Sequence, residues 1–192
     1  MKLFLVRHGQ SEANLGHYYT GQMDVRLTDL GRQQAAEAGR KLRNIKFDKV
    51  FSSDLCRAWE TCKIALPGCE PEKTPLLREY DVGIVQGREL GSIKLSIPDD
   101  PQRAPDYTPY GGEDASMVRA RARSFLTSLE GKGYENVAAF AHYGFMNCVL
   151  REVFGTKIRN GSIKTDNCAI YVVENDADTW QLLAVNYMTE FE

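Results

Sequence analysis

Arg7-His8-Gly9 stands directly after Leu3-Phe4-Leu5-Val6, an unbroken apolar run partly aromatic or β-branched. Such a run reads as a strand buried on both faces. A cation, an imidazole and a glycine are a poor continuation of a core. They are a good start for an anion site, because ligands of open α/β sheets sit beyond the carboxyl ends of the strands. Gly9 would let the backbone approach a ligand closely, and Asn14 offers a side-chain amide as donor. Taken alone, the tripeptide is equally well a basic surface turn. What separates the two readings is the rest of the chain: of only three histidines, His142 also directly follows a buried apolar run, Val137 to Ala141. His17 is assigned a structural place.

A third strand end adds a second cation. Val50-Phe51-Ser52-Ser53 is a short strand, and a helix follows it immediately, so Arg57 in the first helical turn falls at the carboxyl edge of the sheet. A lone helix arginine is ordinarily a solvated charge; its position argues for more. Phosphoryl transfer is limited mainly by positioning and by charge on three equatorial oxygens. Two fixed guanidiniums, Arg7 and Arg57, answer that need, since each forks onto two phosphate oxygens. Neutral imidazole is a competent nucleophile near neutral pH and splits one displacement into two. Backbone amides near Gly9 and Tyr143 would complete the cradle. No cluster of Asp, Glu and His has metal-ligand spacing, so the expectation is a reaction with no metal and no cofactor.

The elements that must position these groups follow from pattern. Residues 8–27 read as a loop. Thr28 caps a helix from Asp29 to Arg43 with Leu30, Ala35, Ala38 and Leu42 as its apolar stripe. Ser53 or Asp54 caps the helix carrying Arg57, which runs to about Ala65. All seven prolines fall in two stretches, Pro67 to Pro75 and Pro98 to Pro109, which mark irregular backbone. Residues 88–111 form an excursion with a short helix from Glu89 to Leu95 and then the second proline stretch; it reads as a lid or wall over the site. A helix to about Glu130 then presents Val118, Ala122, Phe125, Leu126 and Leu129 on one face. The strand at 136–141 runs through His142 into a helix from Phe145 to Phe154, ended by Gly155. Strands from Cys168 to Val173 and from Trp180 to Tyr187 make an antiparallel hairpin across a polar turn. Alternating strands and helices give an α/β fold: three layers, a mostly parallel sheet with helices on both faces, in a single domain over residues 1–192.

Four segments, in order, resemble the motifs of the histidine phosphatase superfamily in its phosphoglycerate-mutase-like branch. They are Arg7-His8-Gly9-Gln10-Ser11-x-x-Asn14, Ser52-Ser53-x-Leu55-x-Arg57-Ala58-x-x-Thr61, Leu77-x-Glu79-x-x-x-Gly83-x-x-Gln86-Gly87, and the His142 turn. Leu27-Thr28-x-x-Gly31-x-x-Gln34-Ala35 and Gly111-Gly112-Glu113 resemble the family as well. Gln10 and His142-Tyr143 do not match the acid-phosphatase branch. The resemblance covers nearly the whole chain and implies the same fold. It implies that His8 is the nucleophile and becomes phosphohistidine, that His142 holds the phosphoryl group by donating to it, and that Glu79 protonates the leaving alkoxide and then deprotonates water. The binding set it suggests adds Asn14, Thr20, Gly21, Tyr80 and Tyr143 to the two arginines. Tyr143 departs from the family, where a small residue is common.

The expected activity is hydrolysis of a small phosphorylated metabolite. The alternatives are a phosphoglycerate-type mutase and a non-catalytic regulatory domain on the same scaffold. The family's glycolytic mutases carry extra segments with an adjacent Arg-Arg pair, which this sequence lacks. Retention of every expected catalytic residue type argues against the non-catalytic reading. The chain has 192 residues, 24 basic and 26 acidic, for a net charge of −2. That balance argues against a general nucleic-acid or membrane-surface binder. The apolar run after Lys2 is too short for a signal peptide. Five cysteines in no zinc spacing fit reduced thiols in the cytoplasm. The expected assembly is a monomer or homodimer, which the sequence does not decide.

Overall fold

The computed structural model describes residues 1–93, 104–155, 163–176 and 179–185. Six strands form one sheet: β1 (Lys2–Arg7), β2 (Lys49–Ser53), β3 (Glu72–Thr74), β4 (Asn136–Ala141), β5 (Ile170–Asp176) and β6 (Thr179–Ala184). Their order is β3-β2-β4-β1-β5-β6. The first four are mutually parallel, and β5 and β6 add an antiparallel hairpin at one edge. Five α-helices accompany them among the described residues: α1 (Glu12–Gly16), α2 (Asp29–Leu42), α3 (Cys56–Ala65), α4 (Ala115–Leu129) and α5 (Tyr143–Phe154). No described helix is long and apolar enough to cross a membrane.

Residue alternation along the strands divides the core into two layers. Phe4, Val6, Ala138, Phe140, Ile170 and Val172 face one way and pack with Ala35, Ala38 and Leu42 of α2 and Cys62 and Ala65 of α3. Leu3, Leu5, Phe51, Val137, Ala139 and Tyr171 face the other way, into the cluster built from α4 and α5. The predicted α4 face is buried at all five positions. Central strands covered on both sides are why these segments read as continuous apolar runs rather than alternating ones.

Register decides where the site lies. Arg7 of β1 pairs with Ala141 of β4, and Ser52 of β2 pairs with Phe140. Three parallel strands therefore end nearly level, and the residues that follow them share one edge. The His8 amide donates to the Ala141 carbonyl at 3.0 Å, carrying the ladder one step beyond the last paired residue.

Several details differ from the sequence expectations, each for a local reason. The predicted loop after β1 contains α1, too short to show periodicity and held by a capping box between Ser11 and Asn14. The first proline stretch contains β3, three residues paired to β2 between Pro71 and Pro75. Leu30 is not in the α2 stripe; it is 48% exposed, and Gly31 is buried instead. Neither Ser53 nor Asp54 caps α3. Leu55 is the N-cap, and the carboxylate of Asp24, distant in sequence, accepts from the Cys56 amide. Glu89 to Ile93 is not helical: Glu89 bridges Tyr18, and the Leu90 amide donates to the His17 carbonyl, so inter-segment pairing replaces the helical turn. Leu95 and the prolines at 98 and 101 lie outside the described residues, as do Ala177 and Asp178 of the hairpin turn and residues 186–187. α5 begins at Tyr143, two residues earlier than predicted, and closes at Gly155 with φ of 81°.

The substitution of Gly31 tests the contact that sets α2 against the β1 loop. A Cβ there would lie 2.0 Å from the Gln10 carbonyl oxygen, a backbone atom that cannot swing away. Gly31→Ala should therefore destabilise the fold by about 2 kcal/mol, the scale of core overpacking, measured as a lowered urea midpoint at unchanged m-value.

Candidate active site

A cavity of about 310 Å³ opens at the carboxyl edge of the sheet. Arg7, His8, Asn14, Thr20, Gly21, Arg57, Glu79, Tyr80 and Tyr143 from the sequence reading all line it. His142 lies behind His8, fully buried, with ring centroids 5.1 Å apart.

The backbone of His8 is fixed from two sides: its amide by Ala141, its carbonyl by the Cys168 amide and the Asn167 side chain. Its Nδ1 lies 2.7 Å from the Gly9 carbonyl oxygen. A carbonyl only accepts, so Nδ1 carries the proton and Nε2 keeps its lone pair. Burial, with Arg57 and Arg7 alongside, holds His8 well below the usual imidazole range, and burial with Arg57, His8 and Arg7 does the same for His142. Both rings are neutral at neutral pH. Among the described residues, neither ring nitrogen of His142 has a hydrogen-bond partner, an exception, since buried polar atoms are ordinarily paired.

The two arginines share a pattern. Arg57 is 1% exposed and donates through its guanidinium to the Gly21 carbonyl at 2.8 Å and the Met23 carbonyl at 2.9 Å. Burial lowers it to about 10, still cationic at neutral pH. Arg7 donates to the Thr165 carbonyl, and its buried Nε has no partner among the described residues. The Tyr143 ring lies 5.5 Å from the Arg7 guanidinium, a cation–π distance. Carbonyl oxygens orient both guanidiniums without neutralising them.

Glu79 supplies the wall's carboxylate. Its Oε1 accepts from the Tyr80 amide at 2.9 Å and its Oε2 from the Gly144 amide at 3.0 Å, in the first turn of α5. A Cβ on residue 144 would come within 2.2 Å of Oε1, so only glycine admits the carboxylate here. The Glu79 backbone is held as well: its carbonyl accepts from Gln22 and from Arg121, and Arg121 also binds the Leu76 and Arg78 carbonyls and the Glu113 carboxylate.

Some sequence-assigned residues occupy the site in a different way than expected. Gly9 is close to Gly31, where a Cβ would meet the carbonyl oxygen at 2.3 Å, and its amide donates to Thr61 Oγ1. It is a packing residue and its amide is not part of a cradle. Gly21 serves through the carbonyl that holds Arg57. The Tyr80 hydroxyl is engaged with Cys148 Sγ at 3.1 Å in the core, leaving the ring for the cavity. Asn14 Oδ1 accepts from Ser11 and Asn167, so the amide nitrogen is the end that remains to donate. Among the described residues, no group of three His, Cys, Asp or Glu side chains is arranged to hold a metal. The sequence reading missed Tyr19, Tyr107, Asn167 and Arg121. The first two read as loop residues, and Asn167 and Arg121 act through partners far along the chain. The described ends of the excursion at 88–111 do contribute to the wall, through Leu90, Pro105 and Tyr107.

Two buried neutral histidines make stability depend on pH. Unfolding returns each to an ordinary value near 6.5, so below that pH the unfolded chain binds protons that the folded chain refuses. This contribution is fully present above pH 6.5 and is lost as pH falls toward the folded values. The slope should reach about 2.7 kcal/mol per pH unit, two protons at about 1.36 each. Urea unfolding at about pH 7.5, 6.5 and 5.5 measures it, and His142→Asn should remove about half of the slope.

The sequence model of the histidine phosphatase superfamily, branch 1, matches residues 3–188. Fructose-2,6-bisphosphatase TIGAR B of Danio rerio is 40% identical over 134 residues, 66% of this chain and 52% of that protein. A 2,3-bisphosphoglycerate-dependent phosphoglycerate mutase of a Bradyrhizobium strain is 38% identical over 131 residues, 62% of this chain and 63% of that one. The chain spans about half the length of the TIGAR relatives it matches. Among solved structures, a mycobacterial glucosyl-3-phosphoglycerate phosphatase complexed with VO3 superposes with a TM-score of 0.83 at 27% identity, covering 96% of this chain and 98% of that one. With a family match from the first strand to the last and the same architecture, the chain belongs to branch 1 of the histidine phosphatase superfamily.

Proposed function

We propose that this chain is a phosphomonoesterase that hydrolyses a small phosphorylated metabolite through a phosphohistidine on His8. The observation that carries the reading is the pairing of two buried neutral imidazoles, one with both nitrogens unpartnered, with two buried guanidiniums bound only to carbonyls in the bonds resolved. A phosphate dianion supplies what all four lack. The relatives' names, bisphosphatase, mutase and phosphatase, are consistent with that chemistry.

In the first step the Nε2 lone pair of His8 attacks phosphorus and the bond to the ester oxygen breaks. Glu79, in its acid form, gives the departing oxygen a proton. The imidazole gains positive charge as it does so, and the Gly9 carbonyl on Nδ1–H stabilises it. Arg7, Arg57, His142 and the Asn14 amide hold the equatorial oxygens, in place before the reaction begins. In the second step Glu79, now a carboxylate, takes a proton from water; the water oxygen attacks phosphorus and the bond to Nε2 breaks. Free phosphate leaves and both residues return to their starting states.

Hydrolysis is favoured over phosphoryl return. A mutase must keep water from the phosphoenzyme and grip a second anionic group of its substrate. Arg7 and Arg57 are the only cations in the cavity wall among the described residues, and both belong to the phosphate end. Lys94 and Arg103, the other cations of the excursion besides Arg88, lie outside the described residues. Five free thiols support action in a reducing compartment, the cytoplasm.

Labelled substrate, quenched in base to preserve a phosphoramidate, should leave label on His8 and on no other residue; label on a carboxylate or serine, or none, overturns the mechanism. Glu79→Gln should slow phosphoenzyme formation from alkyl phosphates by about 10² to 10³, within the range for general acid catalysis. It should slow p-nitrophenyl phosphate much less, since that leaving group needs little protonation. Single-turnover rates that fall equally for both esters would remove Glu79 from the acid role.

A further inference from the structure

The polar end of the cavity accounts for a phosphate and a proton donor. The remainder of its wall has a different composition. Tyr19, Tyr107, Val82, Leu90 and Pro105 line it. Tyr19 and Tyr107 meet edge to face with centroids 6.2 Å apart, and Tyr107 meets Tyr80 in the same way at 6.0 Å. Three rings thus form a continuous aromatic file. Their hydroxyls add little polarity: that of Tyr80 is taken by Cys148, and that of Tyr19 accepts from the Gly91 amide. Burial and the nearby Glu79 push the Tyr107 phenol up, so it is neutral. Leu90 leaves half its surface, 51%, exposed.

Charge in the wall is equally one-sided. Among the described residues its cations are Arg7 and Arg57. Both flank His8. A second phosphate or carboxylate on a substrate would be drawn out of water against phenol rings and aliphatic carbons, and Glu79, as acid or as carboxylate, offers it no positive charge. Burying an ion without a partner costs several kcal/mol. An uncharged group with an apolar or aromatic face meets no such penalty and gains ring contacts.

Taking the phosphatase reading as its basis, we infer that this site selects phosphate monoesters whose alcohol half is uncharged and presents an aromatic or comparably apolar face. Esters with a second anionic group are its poor substrates. The consequence separates this chain from relatives named for fructose 2,6-bisphosphate or phosphoglycerate, both of which carry a second anion. The aromatic file is the determinant, and Leu90 marks the place where a single cation would weaken the preference.

The test uses three esters of primary alcohols, so that the leaving groups are comparably demanding: 2-phenylethyl phosphate, 3-phosphoglycerate and fructose 1,6-bisphosphate. Phosphate release from the full chain should give a kcat/KM for 2-phenylethyl phosphate at least about tenfold above either anionic ester. Leu90→Arg should narrow that ratio by about tenfold, by raising kcat/KM for the two anionic esters. Equal or faster hydrolysis of an anionic ester by the unaltered chain overturns the inference, and so does a ratio that Leu90→Arg leaves unmoved. Release of phosphate from the anionic esters in preference, with label on His8, sinks the selectivity alone. No release from any ester and no labelled histidine would bring down the phosphatase reading and this inference with it.

Discussion

The parallel pairing of β1 with β4 is the constraint on which the site depends. The ladder runs in register from Lys2 and Asn136 to Arg7 and Ala141, so the two strands hand over to His8 and His142 at the same height. One more backbone bond, from the His8 amide to the Ala141 carbonyl, fixes the loops as they leave the sheet. The ring separation of 5.1 Å follows from that geometry, with no need for the side chains to bind one another. A slip of one residue would turn the side chains of a strand to opposite faces. Because both faces of the central strands are buried, such a slip would also expose core, which makes the fold's stability the guarantor of the histidine pair.

Electrostatics around that pair are arranged by what is withheld. Arg7 and Arg57 are buried and bound to carbonyl oxygens. A buried cation is expensive unless paired. The cost is offset in part by the carbonyl dipoles and by Glu79, whose own oxygens are engaged with two backbone amides. The site thus holds two cations, one carboxylate and two neutral imidazoles, and the fold bears the cost of assembling them in one cavity.

How much of this was legible in the residues depends on the range of the interaction. Strand runs such as Leu3 to Val6 and Val137 to Ala141 announce themselves, and so does the chemistry that follows each of them, because apolar continuity and its abrupt end are local signals. Thr28 as a cap is local too. The cap of α3 was not, since Asp24 reaches it from a different loop. Gly9 was assigned to ligand approach, whereas its neighbour is Gly31, a contact invisible until α2 is placed. Arg121 looked like one more helix charge; its bonds to three carbonyls around Glu79 exist only once the chain has closed on itself. Tyr19 and Tyr107 escape the sequence for the same reason, coming from loops whose approach no periodicity encodes.

The way those loops are joined has a consequence of another kind. The Tyr19 amide donates to the Arg88 carbonyl, the Gly87 amide to the Tyr19 carbonyl, and the Leu90 amide to the His17 carbonyl. Backbone groups therefore carry the frame of the cavity wall, and a bond between an amide and a carbonyl is indifferent to the side chain that either residue bears. A side chain such as that of Leu90 can be exchanged without removing any of these backbone bonds. Such a division lets mutation explore new leaving groups one side chain at a time while the phosphate end stays intact, so the architecture is a ready substrate for evolutionary divergence.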